Sequence, residues 1–194
     1  LAFIRGGISF SGLPNQTMEY SNLSYALLGL IIKNISGQSY QRYIDEHIFK
    51  PLGMVNTRWE YTNVPDSQLV RGYRLLDPQA EAAEKWQAEP LLHDGAWGAI
   101  GGIITSVEEF SLYLRFLLSA FDVNGTDDNK AYSGPLSYAS VRDMTQPRIP
   151  WITSPNQIRD AELQSRHYGY GLEIRQDKRG ITSVGHAGGL PGFG

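Results

Sequence analysis

The chain has 194 residues, of which 41% are hydrophobic and 11% aromatic, an ordinary composition for a globular protein that can bury a sizeable core. Its net charge is −3 and its Lys and Arg residues are scattered, so it lacks the basic patch that binds nucleic acid. No apolar run approaches the roughly 20 residues that span a bilayer, and the absence of Cys excludes disulfides, thiol catalysis and Cys-based zinc sites. We therefore predict a folded chain with no nucleic-acid partner and no membrane span.

The first strong element is a helix over about residues 23–35, with apolar residues on nearly every side. Such a helix is predicted to be buried. Asn22 is a suitable N-cap and Gly37 a suitable C-terminal stop. A second, more amphipathic helix is predicted over 40–49, with Ser39 as its N-cap.

The middle of the chain mixes irregular and helical patterns. Residues 56–90 have poor periodicity, which predicts a long loop-rich excursion that shapes a binding surface. The glycine-rich stretch 95–102 predicts a tight turn where backbone packs against backbone. Ser106 and Glu109 have the spacing of a capping box, and they open a helix that runs to Leu118. The apolar face of this helix is predicted to contain Phe110, Tyr113, Leu114 and Leu117.

The last part of the chain changes to a period of two. An exposed polar loop is predicted at 122–130 and a short helix at 136–144. Residues 168–174 alternate as a strand does, 177–180 are predicted to turn, and 181–184 return as the partner strand. Helices therefore fill most of the chain, and a β-hairpin closes it.

The most informative chemical pattern is His186 followed by Ala187, Gly188 and Gly189. Gly lacks the Cβ atom that would hold a ligand away from the backbone, and free backbone N–H groups at such a place can form an oxyanion hole. The same pattern also fits a glycine-rich turn that closes a hairpin beside a surface His.

A second pattern lies near the other end of the chain, where Tyr20 and Asn22 come just before the first strong helix. The positive end of a helix dipole favours a nearby anion, and one intervening residue lets both side chains face one cleft. In the simpler interpretation, Asn22 is only a cap and Tyr20 only a wall residue. The functional hypothesis requires the side chains of Tyr20 and His186 to lie close together.

Other chemistries have weak support. The four His residues lack the spacing of a helix-borne zinc site, and no phosphate-binding loop occurs, so we predict no metal and no cofactor. Residues 7–11 approach a Gly-x-Ser-x-Gly nucleophile elbow, but the last position is Ser11, and the flanking strand and helix are not predicted. A triad of Ser9, His186 and an Asp is therefore a weaker hypothesis.

Several short motifs occur in a specific order. They are Tyr20-Ser21-Asn22, Leu27-Leu28-Gly29, Ser36-Gly37, Pro51-Leu52-Gly53-Met54, Thr57, Gly101-Gly102, Tyr168-Gly169-Tyr170-Gly171 and Gly185-His186-Ala187-Gly188-Gly189-Leu190-Pro191-Gly192. As an ordered set they resemble the serine β-lactamase and D,D-peptidase superfamily, most of all its class C β-lactamase-like branch, which includes esterases and D-amino-acid peptidases. The resemblance runs from about residue 14 to the end of the chain.

This resemblance implies an α+β fold of the β-lactamase/transpeptidase type. Residues 1–165 would form most of a helical lobe that carries the Tyr-x-Asn motif. Residues 166–194 would form a β-hairpin, the first strands of a returning antiparallel sheet, and carry the His-x-Gly motif. The resemblance also favours an exported protein, periplasmic or extracellular.

The family has three catalytic motifs: Ser-x-x-Lys, Tyr-x-Asn and Lys-or-His-x-Gly. Tyr20 and Asn22 match the second motif, and His186 and Gly188 match the third. The resemblance implies that Tyr20 is a proton relay, that Asn22 orients the Lys and the substrate, and that His186 positions substrate or transfers a proton. The backbone N–H of Gly189 would supply half of an oxyanion hole.

The first motif has no match, because none of the five Lys residues has a Ser three positions earlier. We therefore expect the nucleophile to lie upstream, this chain to be the central part of a serine hydrolase, and the isolated chain to be inactive. The remainder of the polypeptide or a complementary chain is the expected partner. The expected substrate is an ester, a β-lactam or a D-amino-acid peptide, and His186 in place of Lys favours esters and peptides over β-lactams. The alternative is a catalytically dead relative that serves as a binding or interaction module.

Overall fold

The computed structural model describes residues 2–10, 12–77, 79, 81, 85–121, 134–151 and 163–193. The predicted loop at 122–130 lies outside these residues. The chain divides into two compact units. Unit 1 comprises Leu1–Tyr20 and Arg142–His186, and unit 2 comprises Ser21–Val141 and Ala187–Gly194. The division into 1–165 and 166–194 stays a prediction about lobes, whereas these units follow spatial contacts.

Helices and antiparallel strands are both present, so the predicted α+β class is confirmed. The α-helices are α1 (Ala2–Arg5), α2 (Asn22–Ser36), α3 (Tyr40–Ile44), α4 (Lys50–Leu52), α5 (Val107–Ser119) and α6 (Tyr138–Met144). The strands are β1 (Tyr73–Leu75), β2 (Trp86–Ala88), β3 (Ile149–Pro150), β4 (Leu163–Tyr168), β5 (Glu173–Asp177) and β6 (Thr182–Gly185). In the part of the chain that the structure describes, no helix combines the length and the apolar character that crossing a bilayer requires.

Helix α2 confirms the first predicted helix, but its N-cap is Ser21 and not Asn22. The Ser21 hydroxyl accepts a hydrogen bond from the Ser24 N–H at 3.2 Å, and Asn22 is the first helical residue. Gly37 ends the helix at a φ of 71°, as predicted. The expected burial of α2 was wrong: Gly29 is its only buried residue, and Ile35 is 83% exposed. Close packing of α2 occurs at Gly29, where an added Cβ would lie 2.8 Å from the Ala99 Cβ, and does not extend along the helix.

The second predicted helix is longer than 40–49 and changes type along its length. Ser39 caps α3 as predicted, accepting from the Arg42 N–H. Residues Asp45–Phe49 form a π-helical turn, in which the Lys50 N–H donates to the Asp45 carbonyl, and α4 continues to Leu52. The Asp45 side chain also accepts from the Trp59 indole N–H at 2.8 Å, which ties the π turn to the following loop.

The 56–90 excursion is mostly irregular, as predicted, but it contains an antiparallel pair, β1–β2. After it, Gly95–Ile100 form a 3₁₀ helix that packs against α2. The predicted close packing occurs at Gly98, where an added Cβ would lie 2.0 Å from Asp94 Oδ1. The buried Asp94 carboxylate accepts hydrogen bonds from the Tyr40 hydroxyl. Burial, and then this carboxylate, raise the pKa of Tyr40 well above its usual range.

Helix α5 begins at a cap that is only half of a capping box. The Ser106 hydroxyl accepts from the Glu109 N–H, whereas the buried Glu109 carboxylate accepts from the Asn56 N–H and the Thr57 hydroxyl. Burial opposes ionisation of Glu109, but these hydrogen bonds outweigh it and lower the pKa. The buried face differs from the predicted one, because Phe110 and Leu114 are exposed. The core of unit 2 is Phe116, Ala120 and Val141, surrounded by Leu52, Tyr113, Leu117 and Tyr138.

Strands β3 to β6 form an antiparallel sheet in chain order, all within unit 1. The predicted hairpin is present as β5 and β6, but the bounds of its first strand, 168–174, were wrong, because 169–172 is the turn between β4 and β5. The Gly169 N–H donates to the Leu172 carbonyl at 2.8 Å, and Gly171 has a φ of 76°. The alternation of Tyr and Gly came from turn glycines. The second turn is confirmed at 177–180, and β6 confirms the returning strand.

Candidate functional site

The sheet of unit 1 places Tyr168 and His186 at the same end of the sheet. Tyr168, the last residue of β4, pairs with Glu173 on β5, and Glu173 pairs with Gly185, the last residue of β6. His186 follows Gly185 directly. Because directly paired residues share a face of a sheet, Tyr168 and the start of the glycine-rich segment lie at the same end of the sheet.

Tyr20 and His186 lie together, as the functional hypothesis requires. Their ring centroids are 5.9 Å apart, with an angle of 31° between the ring planes. The Trp151 ring stacks on the Tyr20 ring, with the two centroids 6.5 Å apart. Both Tyr20 and His186 are exposed, so their rings can be reached by a small molecule. Tyr20 and His186 thus place two rings on one surface, although 165 residues lie between them in the chain.

Tyr168 connects the two sides of this aromatic group. Its hydroxyl lies 3.1 Å from His186 Nε2, which is hydrogen-bond distance. Its ring is nearly perpendicular to both His186 and Trp151, at centroid distances of 5.9 and 5.6 Å. We call Tyr20, Trp151, Tyr168 and His186 the aromatic cluster.

A buried ion pair supports the cluster from the sheet. The Glu173 carboxylate is 6% exposed, and it accepts from Arg166 at 2.6 and 3.2 Å and from Arg175 at 2.7 Å. Burial alone would raise the pKa of Glu173, but the hydrogen bonds and charges of the two Arg residues outweigh burial and lower it. The Arg166 guanidinium also lies over the Trp151 ring, 3.8 Å from its centroid.

Asn22 belongs to unit 2, where it is the exposed first residue of α2. It is therefore not the helix cap, and its side chain is available for another role. The N–H groups of the first helical turn carry the positive end of the helix dipole, so an anion or a carbonyl oxygen close to Asn22 would be stabilised.

Gly188 and Gly189 also belong to unit 2, in the exposed irregular segment after β6. An added Cβ at Gly188 would meet no atom within 4 Å, and one at Gly189 would meet only the Phe193 carbonyl at 3.8 Å. Neither glycine has a positive φ. Neither the backbone conformation nor the packing of the described residues therefore requires glycine at these two positions.

The segment after these glycines is held by β1. An added Cβ at Gly72 would lie 2.6 Å from the Pro191 carbonyl and 2.7 Å from the Phe193 ring, and one at Gly192 would lie 2.4 Å from the Tyr73 nitrogen. Gly192 also has a φ of 78°. These two glycines are required by close packing inside unit 2, in contrast to Gly188 and Gly189.

The sequence analysis did not identify Trp151 and Tyr168 as site residues. Tyr168 was predicted only as the first residue of a strand and as part of a family motif, and no element or role was predicted for Trp151. One signal was available in the sequence: Tyr168 directly precedes the Gly-Tyr-Gly stretch that forms a turn. A residue before such a turn ends its strand, and the end of β4 lies at the same end of the sheet as the end of β6. Sequence periodicity cannot give the pairing of β4 with β5 that establishes this relation.

Other parts of the described chain supply no metal centre. Among the described residues, no group of three or more His, Asp or Glu residues could hold a metal ion. An apolar cleft of about 350 Å³ lies between α2 and the 3₁₀ helix and includes Leu28, Trp59 and Ile100 in its lining. None of the predicted site residues lines this cleft.

Comparisons with known proteins identify the family. The family described as Beta-lactamase matches residues 8–194. The chain is 47% identical over 110 residues to Protein flp of Staphylococcus aureus strain MW2, a match that covers 56% of this chain and 21% of that protein. The chain thus spans about a fifth of the length of this relative.

Two solved structures share the fold. The octameric penicillin-binding protein homologue from Pyrococcus abyssi has a TM-score of 0.67 and 28% identity, covering 90% of this chain and 34% of that one. The D-amino acid amidase from Ochrobactrum anthropi SV3 has a TM-score of 0.64 and 23% identity, covering 97% of this chain and 49% of that one. The chain belongs to the beta-lactamase family, within the serine β-lactamase and transpeptidase superfamily.

Proposed function

We propose that this chain forms the central part of a serine hydrolase that works through an acyl-enzyme. The observation that carries the proposal is the 5.9 Å separation of the Tyr20 and His186 rings within one compact unit. These residues belong to two separate motifs of the family, and a shared site is the simplest reason for their proximity. Family membership supports the same proposal.

The nucleophile of the proposed enzyme is a Ser in a Ser-x-x-Lys motif. No such motif occurs among these 194 residues, so we propose that other sequence supplies it and that the 194 residues alone are inactive. A Ser hydroxyl attacks a carbonyl efficiently only after a base takes its proton, and a desolvated Lys can serve as that base.

Tyr20 acts in this proposal as the proton relay. Once the Lys has taken the Ser proton, a phenol beside the resulting ammonium is favoured in its ionised form, so it can pass that proton on to the leaving group. Asn22 would orient the Lys and the substrate amide or ester, with its side chain free of a capping role.

His186 and the following glycines have separate roles in the proposal. His186 positions the substrate or transfers a proton, and the backbone N–H of Gly189 stabilises the oxyanion together with the N–H of the nucleophile. Open space around an added Cβ at Gly188 supports the idea that a ligand, and not the protein, requires the absence of a side chain there.

The proposed substrate class follows from the residue at position 186. A Lys would carry a permanent positive charge that holds a substrate carboxylate, whereas a His is mostly neutral near pH 7 in its ordinary state. We therefore propose esters and D-amino-acid amides or peptides as better substrates than β-lactams.

The test uses the complete gene product and a serine-reactive phosphonate, with the labelled residue mapped by peptide mass. We expect the label on a Ser three positions before a Lys. The Tyr20→Phe variant should label slower by on the order of 10²- to 10⁴-fold, because it lacks the phenol oxygen that relays the proton. Tyr170→Phe is the matched control, since Tyr170 lies outside the aromatic cluster.

Each other outcome has a definite meaning. A protein that takes no label under any condition is a binding or interaction module, and the hydrolase proposal is then wrong. A label on Ser9 would refute the motif assignment. Equal labelling rates for Tyr20→Phe and Tyr170→Phe would remove Tyr20 from the proposed mechanism.

A further inference from the structure

His186 lies on an exposed segment of the chain. It follows β6, all of whose residues are exposed, and it precedes Ala187, Gly188 and Gly189, which are also exposed. A side chain on such a segment can occupy several rotamers, whereas a catalytic or substrate-positioning group must be held in one geometry. The contacts of His186 with other elements therefore decide whether it can perform its proposed role.

The aromatic cluster supplies these contacts. The buried Glu173 carboxylate holds Arg166, Arg166 lies over Trp151, and the Trp151 ring packs against the ring of Tyr168. The Tyr168 hydroxyl then reaches His186 Nε2 at 3.1 Å. A row of contacts thus runs from a buried ion pair in the sheet to one nitrogen of the imidazole.

The Tyr168 side chain has room above the sheet because the residue in line with it on β6 is Gly185. Tyr168 and Gly185 lie on β4 and β6, on either side of Glu173, so their strands are separated by about 9.5 Å. An added Cβ at Gly185 would meet no atom within 4 Å, so the space above this position is open. The Tyr168 hydroxyl and the His186 imidazole meet above this gap, with the hydroxyl 3.1 Å from Nε2.

We propose that Tyr168 is a positioning residue that holds neutral His186 in the tautomer with its proton on Nδ1. This inference rests on the proposed function, because it gives His186 a defined orientation for substrate positioning or proton transfer. In this assignment the Tyr168 O–H donates a hydrogen bond to the lone pair of His186 Nε2, so the ring proton is on Nδ1. The hydrogen bond at one ring nitrogen of a functional His commonly determines which of the two nitrogens carries the proton.

The tautomer is directly measurable in the complete gene product. With ¹⁵N-labelled His, the imidazole nitrogen shifts distinguish a protonated from an unprotonated Nε2 at mildly alkaline pH. In the wild-type protein we expect the Nδ1–H form of His186 to predominate. In Tyr168→Phe we expect the ratio of Nδ1–H to Nε2–H to fall about three- to tenfold, which corresponds to the loss of one net hydrogen bond.

The substitution retains the ring of residue 168 and its packing against Trp151, so it removes little beyond the hydroxyl. Tyr170→Phe is the matched control: Tyr170 is exposed, and its recorded ring contact is with Arg148. The control should leave the tautomer ratio of His186 unchanged. A wild-type His186 that is mainly Nε2–H would overturn the proposal without any variant, and so would equal ratios in wild type and Tyr168→Phe.

The phosphonate labelling reports on the hydrolase separately. A protein that shows the tautomer effect but takes no label refutes the hydrolase and leaves the Tyr168–His186 relation in place. A protein that labels on the expected Ser but shows no tautomer effect refutes the positioning role of Tyr168 alone.

Discussion

The guanidinium carbon of Arg166 lies 3.8 Å from the centre of the Trp151 ring, while its nitrogens hold the buried Glu173 carboxylate. One side chain therefore makes a cation–π contact and a bidentate ion pair. Arg combines these roles because its guanidinium is flat and always charged, so a carboxylate can bind its edge while a ring packs on its face. Lys could not make both contacts with the same geometry.

Removing this side chain should destabilise unit 1. In Arg166→Met, Glu173 keeps only Arg175, and Trp151 loses its cation. We expect the free energy of unfolding to fall by about 1–3 kcal/mol, measured by denaturant titration followed through Trp fluorescence. Arg175→Met is the control with a smaller expected loss, because Arg175 is more exposed and does not contact Trp151. Equal losses for the two variants would contradict this account.

Glu173 should make stability depend on pH in the acid range. Its pKa is lower in the folded chain than in the unfolded chain, because Arg166 and Arg175 favour the charged carboxylate. Its contribution is therefore fully present above the unfolded pKa of about 4.3 and is lost as the pH falls through the lower folded pKa. Denaturant titrations at a series of pH values should show this decline, and Glu173→Gln should show a shallower one. The exposed Glu81→Gln variant should retain the wild-type slope.

Gly98 is required by the packing around Asp94. The Cβ of Gly98→Ala would lie 2.0 Å from Asp94 Oδ1 and 2.4 Å from the Tyr40 hydroxyl, so the hydrogen bond between these groups must break or shift. We expect a loss of about 1–3 kcal/mol in the free energy of unfolding. Gly101→Ala is the matched control, because its Cβ meets no atom within 4 Å and its φ of 165° is extended. A Gly98→Ala protein as stable as this control would show that the packing is looser than described.

The cap of α2 can be tested by comparing two adjacent residues. Ser21→Ala removes the oxygen that accepts from the Ser24 N–H, and we expect it to cost about 1 kcal/mol of stability. Asn22→Ala should cost only a few tenths of that, because Asn22 is already inside the helix. The result also bears on function: if Asn22 orients substrate, its variant should lose phosphonate labelling while keeping its melting temperature. The opposite stability order would restore Asn22 as the cap.

The sequence predicted α2, α5 and the last hairpin because each carries a strong local signal. Each signal involves backbone groups only a few residues away: Gly37 ends α2, Ser106 caps α5, and Gly180 completes the turn between β5 and β6. Such short-range interactions can be predicted from the sequence. The N-cap was assigned one residue late, since both Ser21 and Asn22 are good caps and only the helix geometry distinguishes them. Tyr20 and His186 stood out as local patterns, the family motifs implied their catalytic roles, and their predicted proximity is confirmed.

What local reasoning missed depends on contacts between distant residues. The Tyr-Gly-Tyr-Gly stretch has the period of a strand, but its glycines lie in a turn. Gly169 is glycine because of a distant contact: an added Cβ would lie 2.7 Å from the Met144 carbonyl. The apolar pattern of α2 predicted burial, yet Ile35 is exposed, since a pattern shows what a surface favours and not what covers it. Trp151 and Tyr168 entered the site only through strand pairing.

The contact of Gly72 with Pro191 and Phe193 has a practical consequence for engineering. Residue 72 sets the position of the segment that follows Gly189, although 117 residues separate the two in the chain. A mutagenesis library restricted to residues beside His186 would leave this position untouched. Including residue 72, with substitutions chosen for size, would let a library change the position of the glycine segment without altering the glycines themselves.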